Sequence, residues 1–245
     1  IIQIVADTNT QILGLQNGDY DVVRNPSIDV CTRLEGNDDV AWNSTLSTGR
    51  ITLYLNDWTG ACKDVNFRKA VQAGIDKQMI NDGVYAGRSE ILNVDMCSNY
   101  LSFVTVDDGV EVVPYDVEAA QEYLAQSNYN GEEFAISVPS GSALENVAKI
   151  IQAQLMEVGI NCTIKATDYP TYSGEWKNRT YEAYVLNNLC SLVDADGVYT
   201  GHRLDREPWE DRVFQRDGEI SEILLEARAA QGEDRKALYV EACNI

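Results

Sequence analysis

The stretch from Glu133 to Ala166 constrains this chain more than any other part of it. "EFAISVP" has the composition and length of a strand. Ser142 and Glu145 then have the spacing of a capping box, with Ser142 capping the Glu145 amide and the carboxylate reaching back. Leu144, Val147, Ala148, Ile151 and Leu155 form an apolar stripe at helical spacing, and Gly159 stops that helix. "INCTIKA" follows, with Ile160, Cys162, Ile164 and Ala166 alternating inward. Strand, helix and strand of these lengths make a βαβ unit, which requires parallel strands and a right-handed crossover. The expected fold class is therefore α/β with a mainly parallel sheet.

The rest of the chain extends this pattern. "IIQIVADTN" reads as a short strand, and "TQILGLQNGDYDVV" as a helix that stops at Gly18 and runs into a short buried strand, "YDVV". "RITLYLN" alternates Ile51, Leu53 and Leu55 against Thr52, Tyr54 and Asn56, as a half-buried strand does. Residues 64–85 read as two helices: Asp64 caps the first, Gly74 lets it end, and Asp76 caps the second. Asp116 caps a further helix that turns Ala119, Ala120, Tyr123 and Leu124 inward. "PTYSGEWKN" reads as a short helix and "YEAYVLN" as another strand. The chain closes on two helices broken at Gln231 and Gly232.

Composition excludes several function classes. Nineteen basic residues stand against 39 acidic ones among 245, a net charge of −20. Such a surface repels phosphate backbones and anionic lipid, so nucleic acid is not an expected partner. No apolar run approaches the ~20 residues of a membrane helix. The chain opens on "IIQIVADTNT" rather than Met, which suggests a mature fragment or an excised domain. The six cysteines, at 31, 62, 97, 162, 190 and 243, form no CxxC pair, which argues against a zinc ribbon or a thioredoxin-type site. They are compatible with disulfides or with buried free thiols.

Motifs for catalysis are weak. His202 is the only histidine; Cys190 and Ser191 are the nucleophiles nearest to it in sequence, but no nucleophile elbow surrounds them. "DADG" at 194–197 resembles the start of a calcium loop, yet Asp205 stands where the twelfth-position Glu belongs. No GxGxxG follows a strand. Sequons at Asn43, Asn161 and Asn178 are best explained as chance matches, since Asn161 lies in an expected buried strand. No metal, cofactor or catalytic residue is expected.

Five segments, in order, resemble the bacterial extracellular solute-binding proteins of family 5, the peptide, oligopeptide and nickel receptors of ABC importers. "ILGLQNGDYDVV" is similar to that family's "aLqsGeiDi". "LYLND" and then "DVNFRKAVQAGIDKQMI" resemble its "lN" and "d.rvRqAl.yAiDr..i". "YDVEAAQEYLAQSNYNG" resembles "yDpekAk.lLaeaGy.dG", and "ENVAKIIQAQLMEVGINCTIKATDYPTY" resembles "e.a..iq.qL.kiGI.v.i...d...y".

The resemblance implies a type II periplasmic-binding-protein lobe that captures a solute by hinge closure against a second lobe. Intact members are about twice this long, so residues 1–209 would form the C-terminal ligand-binding lobe. Residues 210–245 would be a helical segment that packs back on the N-terminal lobe. The implied partners are a small peptide-like or saccharide solute and a membrane permease, with the protein itself a monomer. Its place would be the periplasm or, lipid-anchored, the outer face of the cell membrane.

In peptide-binding members a "W.aDy.dP" pattern follows a strand, and its Asp holds the ligand ammonium. Placed on "NLCSLVDAD", Asn188 takes the Trp position, Ser191 the Asp position, Asp194 the second acidic position and Ala195 the Pro position. Cys190 lies between them, Tyr169 falls where the family places an aromatic wall, and Asn56 belongs to the "lN" segment. A serine cannot supply the charge-assisted bond of an aspartate. That departure leaves a polar, aromatic pocket, with Asp194 or Asp168 as substitute anchors. Two alternatives remain: the sensing domain of a regulator, and a hydrolase using Cys190 or Ser191 with His202.

Overall fold

A computed structural model of the chain describes residues 1–5, 7–189, 193–202 and 218–245, with the backbone alone for 199–202 and 218–219. The chain divides into two compact units, Ile1–Leu46 and Ser47–Ile245.

The first unit holds helices α1 (Thr8–Asn17) and α2 (Ile28–Leu34). The Asp7 side chain accepts from the Thr10 amide and starts α1; Gly18, at φ 77°, ends it in the left-handed conformation. Ser27 caps α2. Ile12, Val30 and Leu34 form a small core. The strand expected over residues 1–9 does not form, nor does "YDVV": Ile1, Ile2 and Ile4 are exposed, and Thr8 and Asn9 already belong to α1. A strand needs a ladder partner, and none is present among the described residues of this unit.

The second unit contains a four-stranded sheet in the order β1-β4-β2-β3. In chain order its elements are β1 (Gly49–Leu55), α3 (Val65–Ala73), α4 (Lys77–Tyr85), α5 (Val117–Gln126), β2 (Phe134–Pro139), α6 (Ala143–Val158), β3 (Cys162–Thr167), α7 (Tyr169–Asn178), β4 (Ala183–Leu189), α8 (Ala195–His202), α9 (Gly218–Ala229) and α10 (Gly232–Asn244). β2 pairs in parallel with both β3 and β4, which bears out the βαβ unit; β1 joins β4 antiparallel at the edge.

Helices α3, α5 and α6 cover one face of the sheet. There Phe134, Ile136 and Val138 of β2 meet Ala183 and Val185 of β4 and the expected stripe Val147, Ala148, Ile151 and Leu155 of α6. Gly159, at φ 107°, ends α6 as expected. The Asp64 carboxylate caps α3 through the Asn66 amide at 2.8 Å, and its other oxygen accepts from Asn128 N and Nδ2, each at 2.8 Å. Asp76 accepts from the amides of Gln78 and Met79 at 2.8 and 3.2 Å, so it is the cap of α4.

On the opposite face Tyr172 of α7 packs with Tyr54, Tyr181 and Tyr184. A second core joins α8, α9 and α10 to the segment around Met96, Tyr100 and Val104. The expected boundary at 209/210 lies outside the described residues; the described C-terminal helices α9 and α10 pack in that core.

Three local expectations are corrected. The capping box does not close: Ser142 Oγ donates to the Pro139 carbonyl at 2.6 Å, and Glu145 accepts from the Gly141 amide, one residue earlier. In β1 the apolar side is the less buried one. Ile51 is 38% exposed, whereas Arg50, Tyr54 and Asn56 are buried, because the tyrosine layer covers that side. Ala166 is exposed on the edge strand β3. Cys62, Cys97 and Cys162 are buried free thiols, and Cys31 and Cys243 are half-buried ones; Cys190 lies outside the described residues.

Candidate functional site

In α/β sheets ligands gather beyond the carboxyl ends of the parallel strands. Here those ends are Pro139, Thr167 and Leu189, and antiparallel pairing brings the start of β1 alongside the last of them. Tyr169 opens α7 directly after β3 and is 68% exposed. Asp168 caps the same helix, accepting from Thr171 N at 3.0 Å and Thr171 Oγ1 at 2.8 Å. Those bonds hold its carboxyl below the usual range.

A chain of rings links Tyr169 to Asn188. Tyr169 lies 6.1 Å from Tyr172, and Tyr172 lies 6.3 Å from Tyr184. Tyr184 stacks on Tyr54 at 5.0 Å, and the Tyr54 hydroxyl accepts from Asn188 Nδ2 at 3.3 Å. Burial, reinforced by Asp95, pushes the Tyr54 hydroxyl up to about 12. Burial likewise raises Tyr172 and Tyr184, so these hydroxyls stay protonated. The Tyr172 hydroxyl donates to Val185 O at 2.7 Å and ties α7 to β4. Thr167 Oγ1 is buried at the end of β3 with no hydrogen-bond partner among the described residues.

Sequence reasoning missed the ion pair beside Asn188. Arg50 sits opposite Asn188 across β1 and β4. Its Nε meets Asp95 Oδ1 at 2.5 Å, and Thr52 Oγ1 donates to the same oxygen at 3.4 Å. Burial works against the Arg50 charge, but Asp95 outweighs it, and the guanidinium is held more firmly protonated than usual. Forty-five residues separate the partners, and neither belongs to a motif, so only their meeting in space reveals them.

The other expected site residues divide clearly. Tyr169 and Asn188 are joined on the tyrosine face through Tyr172, Tyr184 and Tyr54. Asn56 lies apart from Asn188: it follows β1 at the other end of that strand, roughly 20 Å away at about 3.3 Å per strand residue. Its amide is already committed, donating to Tyr181 O at 2.9 Å and Arg179 O at 3.3 Å and accepting from Trp58 N at 3.2 Å. Asp194 stands at the start of α8, but Arg235 occupies both its oxygens, at 3.0 and 2.7 Å. Asp196 pairs with Arg228 at 2.9 Å. The "DADG" carboxylates thus serve arginines and the α8 start, with Asp194 Oδ1 accepting from the Asp196 amide. Cys190, Ser191, Asp205 and the His202 side chain lie outside the described residues.

The model for the bacterial extracellular solute-binding proteins, family 5 Middle, matches residues 1–206. The chain belongs to this family. Among its relatives is the probable peptide ABC transporter periplasmic-binding protein y4tO of Sinorhizobium fredii, 24% identical over 172 residues, 69% of this chain and 32% of that protein. The chain thus spans about a third of the length of the curated relatives it matches. Among solved structures, it is similar to the periplasmic binding protein DppA of Helicobacter pylori in complex with the peptide STSA. The TM-score is 0.84 at 19% identity, covering 98% of this chain and 47% of that one. It is similar, too, to the PBP AgaA of A. tumefaciens R10 in complex with agropinic acid, at TM-score 0.76 and 19% identity, over 98% of this chain and 49% of that one. At such identities the likeness establishes the fold, that of a periplasmic-binding-protein lobe.

Proposed function

We propose that this chain is the greater part of the C-terminal lobe of an ABC-importer solute receptor. Such a receptor captures a peptide-like or other small polar solute and presents it to a membrane permease. The family match over residues 1–206 carries this reading. It is supported by the relative named as a peptide ABC transporter component and by the neighbour bound to a peptide.

The work is binding rather than bond-making. Tyr169 offers a ring face, Asn188 an amide, and the tyrosine layer with the Arg50–Asp95 pair fixes their positions. Groups held in this way bind at a reduced ordering cost. A second lobe closing over them would trap the solute, and the closed state would gain only the ligand's differential affinity. The proposed location is the periplasm or, through a lipid anchor, the extracellular face of the cell membrane.

The test is a thermal-shift screen of the full-length protein against short peptides and small saccharides. A true ligand at 100 times its Kd should stabilise by about 2.7 kcal/mol, a rise of several degrees in Tm. No stabilisation across the peptide set, with the protein folded, would reject the peptide reading.

A further inference from the structure

The sheet narrows towards its carboxyl end for a reason that lies in β2. Phe134 and Ser140 turn their amides to β3, donating to Asn161 O at 2.9 Å and Thr167 O at 2.7 Å. Alternate residues of a strand point their amides to opposite sides, so Ala135, Ser137 and Pro139 face β4. The Ala135 amide does so, donating to the Glu182 carboxylate at 3.1 Å. Pro139 has no N–H to offer the next rung. β2 accordingly leaves β4 after Ser137 and Tyr184. β1 and β4 run on as a two-stranded ribbon through five more pairs, from Leu53–Val185 to Gly49–Leu189. Val185 O accepts from the Tyr172 hydroxyl instead. A ribbon of two strands is marginal in water, and this one carries Asn188.

The outer edge of the ribbon is held by residues 89–100, a stretch with no helix or strand of its own. It grips four successive residues, 47–50. Asn99 Nδ2 donates to Ser47 O at 3.3 Å, the Tyr100 hydroxyl to Thr48 O at 2.7 Å and the Cys97 thiol to Gly49 O at 3.8 Å. Asp95 pairs with Arg50. The other end is fastened to α4. Lys77 Nζ donates to Leu92 O at 2.8 Å and to Asn93 Oδ1 at 3.3 Å. The Asn81 amide exchanges two bonds with the Ser89 backbone, at 2.9 and 3.0 Å. α4 is itself tied to α6 through its cap, since Gln154 Nε2 donates to Asp76 O at 3.3 Å. Between the fastenings, Ser98 Oγ donates to Glu90 at 2.6 Å, and Met96 is buried in the core shared with α8, α9 and α10.

We infer that residues 89–100 are a strap that sets how far the end of the β1–β4 ribbon opens: Lys77 and Asn81 are its fixed end, Asp95 and Tyr100 its grip, and it keeps Arg50 paired with Asn188. Lys77 is then a positioning residue that acts on the ribbon only through the strap. The inference concerns the protein without its solute and does not depend on the peptide reading.

Hydrogen exchange read by mass spectrometry on the full-length protein, with no ligand present, tests it. The informative amides are those of Arg50, Thr52, Leu186 and Asn188, because Asn56 N donates to Glu182 O and bonded pairs recur at every second residue from there. Tyr100→Phe keeps the buried ring and removes the bond to Thr48. Exchange over 50–53 and 185–189 should then quicken about tenfold, with that over 134–138 and 162–167 unchanged. Lys77→Met, at the far end of the strap, should quicken the same ribbon segments by about threefold. Ribbon exchange unchanged in Tyr100→Phe, or quickened equally over 134–138, overturns the inference. So does a Lys77→Met protein that exchanges faster over 86–93 alone, since the two ends of the strap would then be unconnected. Should Lys77→Met not fold, Asn81→Asp takes its place with the same outcomes, because it turns the bond to the Ser89 carbonyl into a repulsion without changing shape.

Discussion

The two faces of the sheet solve the same burial problem with different chemistry. The face under α3, α5 and α6 is aliphatic, and each side chain there needs only the right volume. The face under α7 is built from tyrosines, the Arg50–Asp95 pair, and a Ser137–Glu175–Lys165 connection in which the Ser137 hydroxyl donates to Glu175 at 2.9 Å. Most polar groups there have partners, which fixes ring and side-chain positions more tightly than packing alone. An aliphatic face stabilises the fold; under the proposed function, the polar, aromatic one would also recognise a solute at its open end. Stability and binding should therefore separate by face.

The largest effect is expected on the aliphatic face. Phe134→Ala should cost about 4 kcal/mol, since the ring is fully buried against Phe67. Chemical denaturation should show this loss with ligand affinity unchanged in the fraction that stays folded; reduced affinity there would erase the division. Arg50→Met comes next, at about 3 kcal/mol, because Asp95 would be left charged and part-buried. Adding Asp95→Leu should recover most of that loss, and a double variant as unstable as the single one would show that the arginine matters chiefly through packing.

Alkaline pH distinguishes the faces by where each begins to fail. Burial, then Glu182, pushes the Cys62 and Cys162 thiols on the aliphatic face up to about 12, from 9.0. The unfolded chain then releases these protons first. Their contribution is complete below pH 9 and is lost between 9 and about 12, by up to about 1.4 kcal/mol per pH unit for each thiol. Tyr54, raised from 10.0 to about 12, adds its loss only from pH 10. Denaturation midpoints followed from pH 8 to 11 should fall from pH 9, and Cys62→Ala with Cys162→Ala should make the fall between 9 and 10 shallower, leaving the share of Cys97, whose thiol burial also raises. An unaltered slope would assign the loss to other groups.

The smallest stability effect belongs to the most exposed candidate. Tyr169→Ala should change stability by less than about 0.5 kcal/mol, as for a surface side chain. The same change should weaken ligand binding about tenfold in titration, through the lost ring face. Equal affinity would remove Tyr169 from the site and leave recognition to Asn188 and its neighbours.

Much of the aliphatic face was legible because its signals are local. The α6 stripe, Gly159 and the caps Asp64, Asp76 and Asp116 each act within a few residues, so spacing alone reveals them. Asp76 in particular, a charged residue inside an apparently continuous helix, is the start of α4. Where local signals misled, a partner was needed: "IIQIV" has strand composition but no ladder neighbour among the described residues of its unit. Tyr169 and Asn188 could be named from the family pattern, whereas Arg50 and Asp95 carry no motif. Asn56 sits in a matching segment yet lies at the other end of β1 from Asn188, since a pattern gives residue identity and not the direction of the strand that carries it.

The sequence by itself determined the α/β class, the parallel β2–β3 pair, the helix punctuation and the family, because periodicity, capping and short motifs are properties of neighbouring residues. Only the tertiary structure decided that β1 runs antiparallel, that the C-terminal helices belong to the unit begun at Ser47, and that Arg235 occupies Asp194. Each of these joins segments tens of residues apart. The free energy of such contacts depends on burial and on partners that no local pattern specifies.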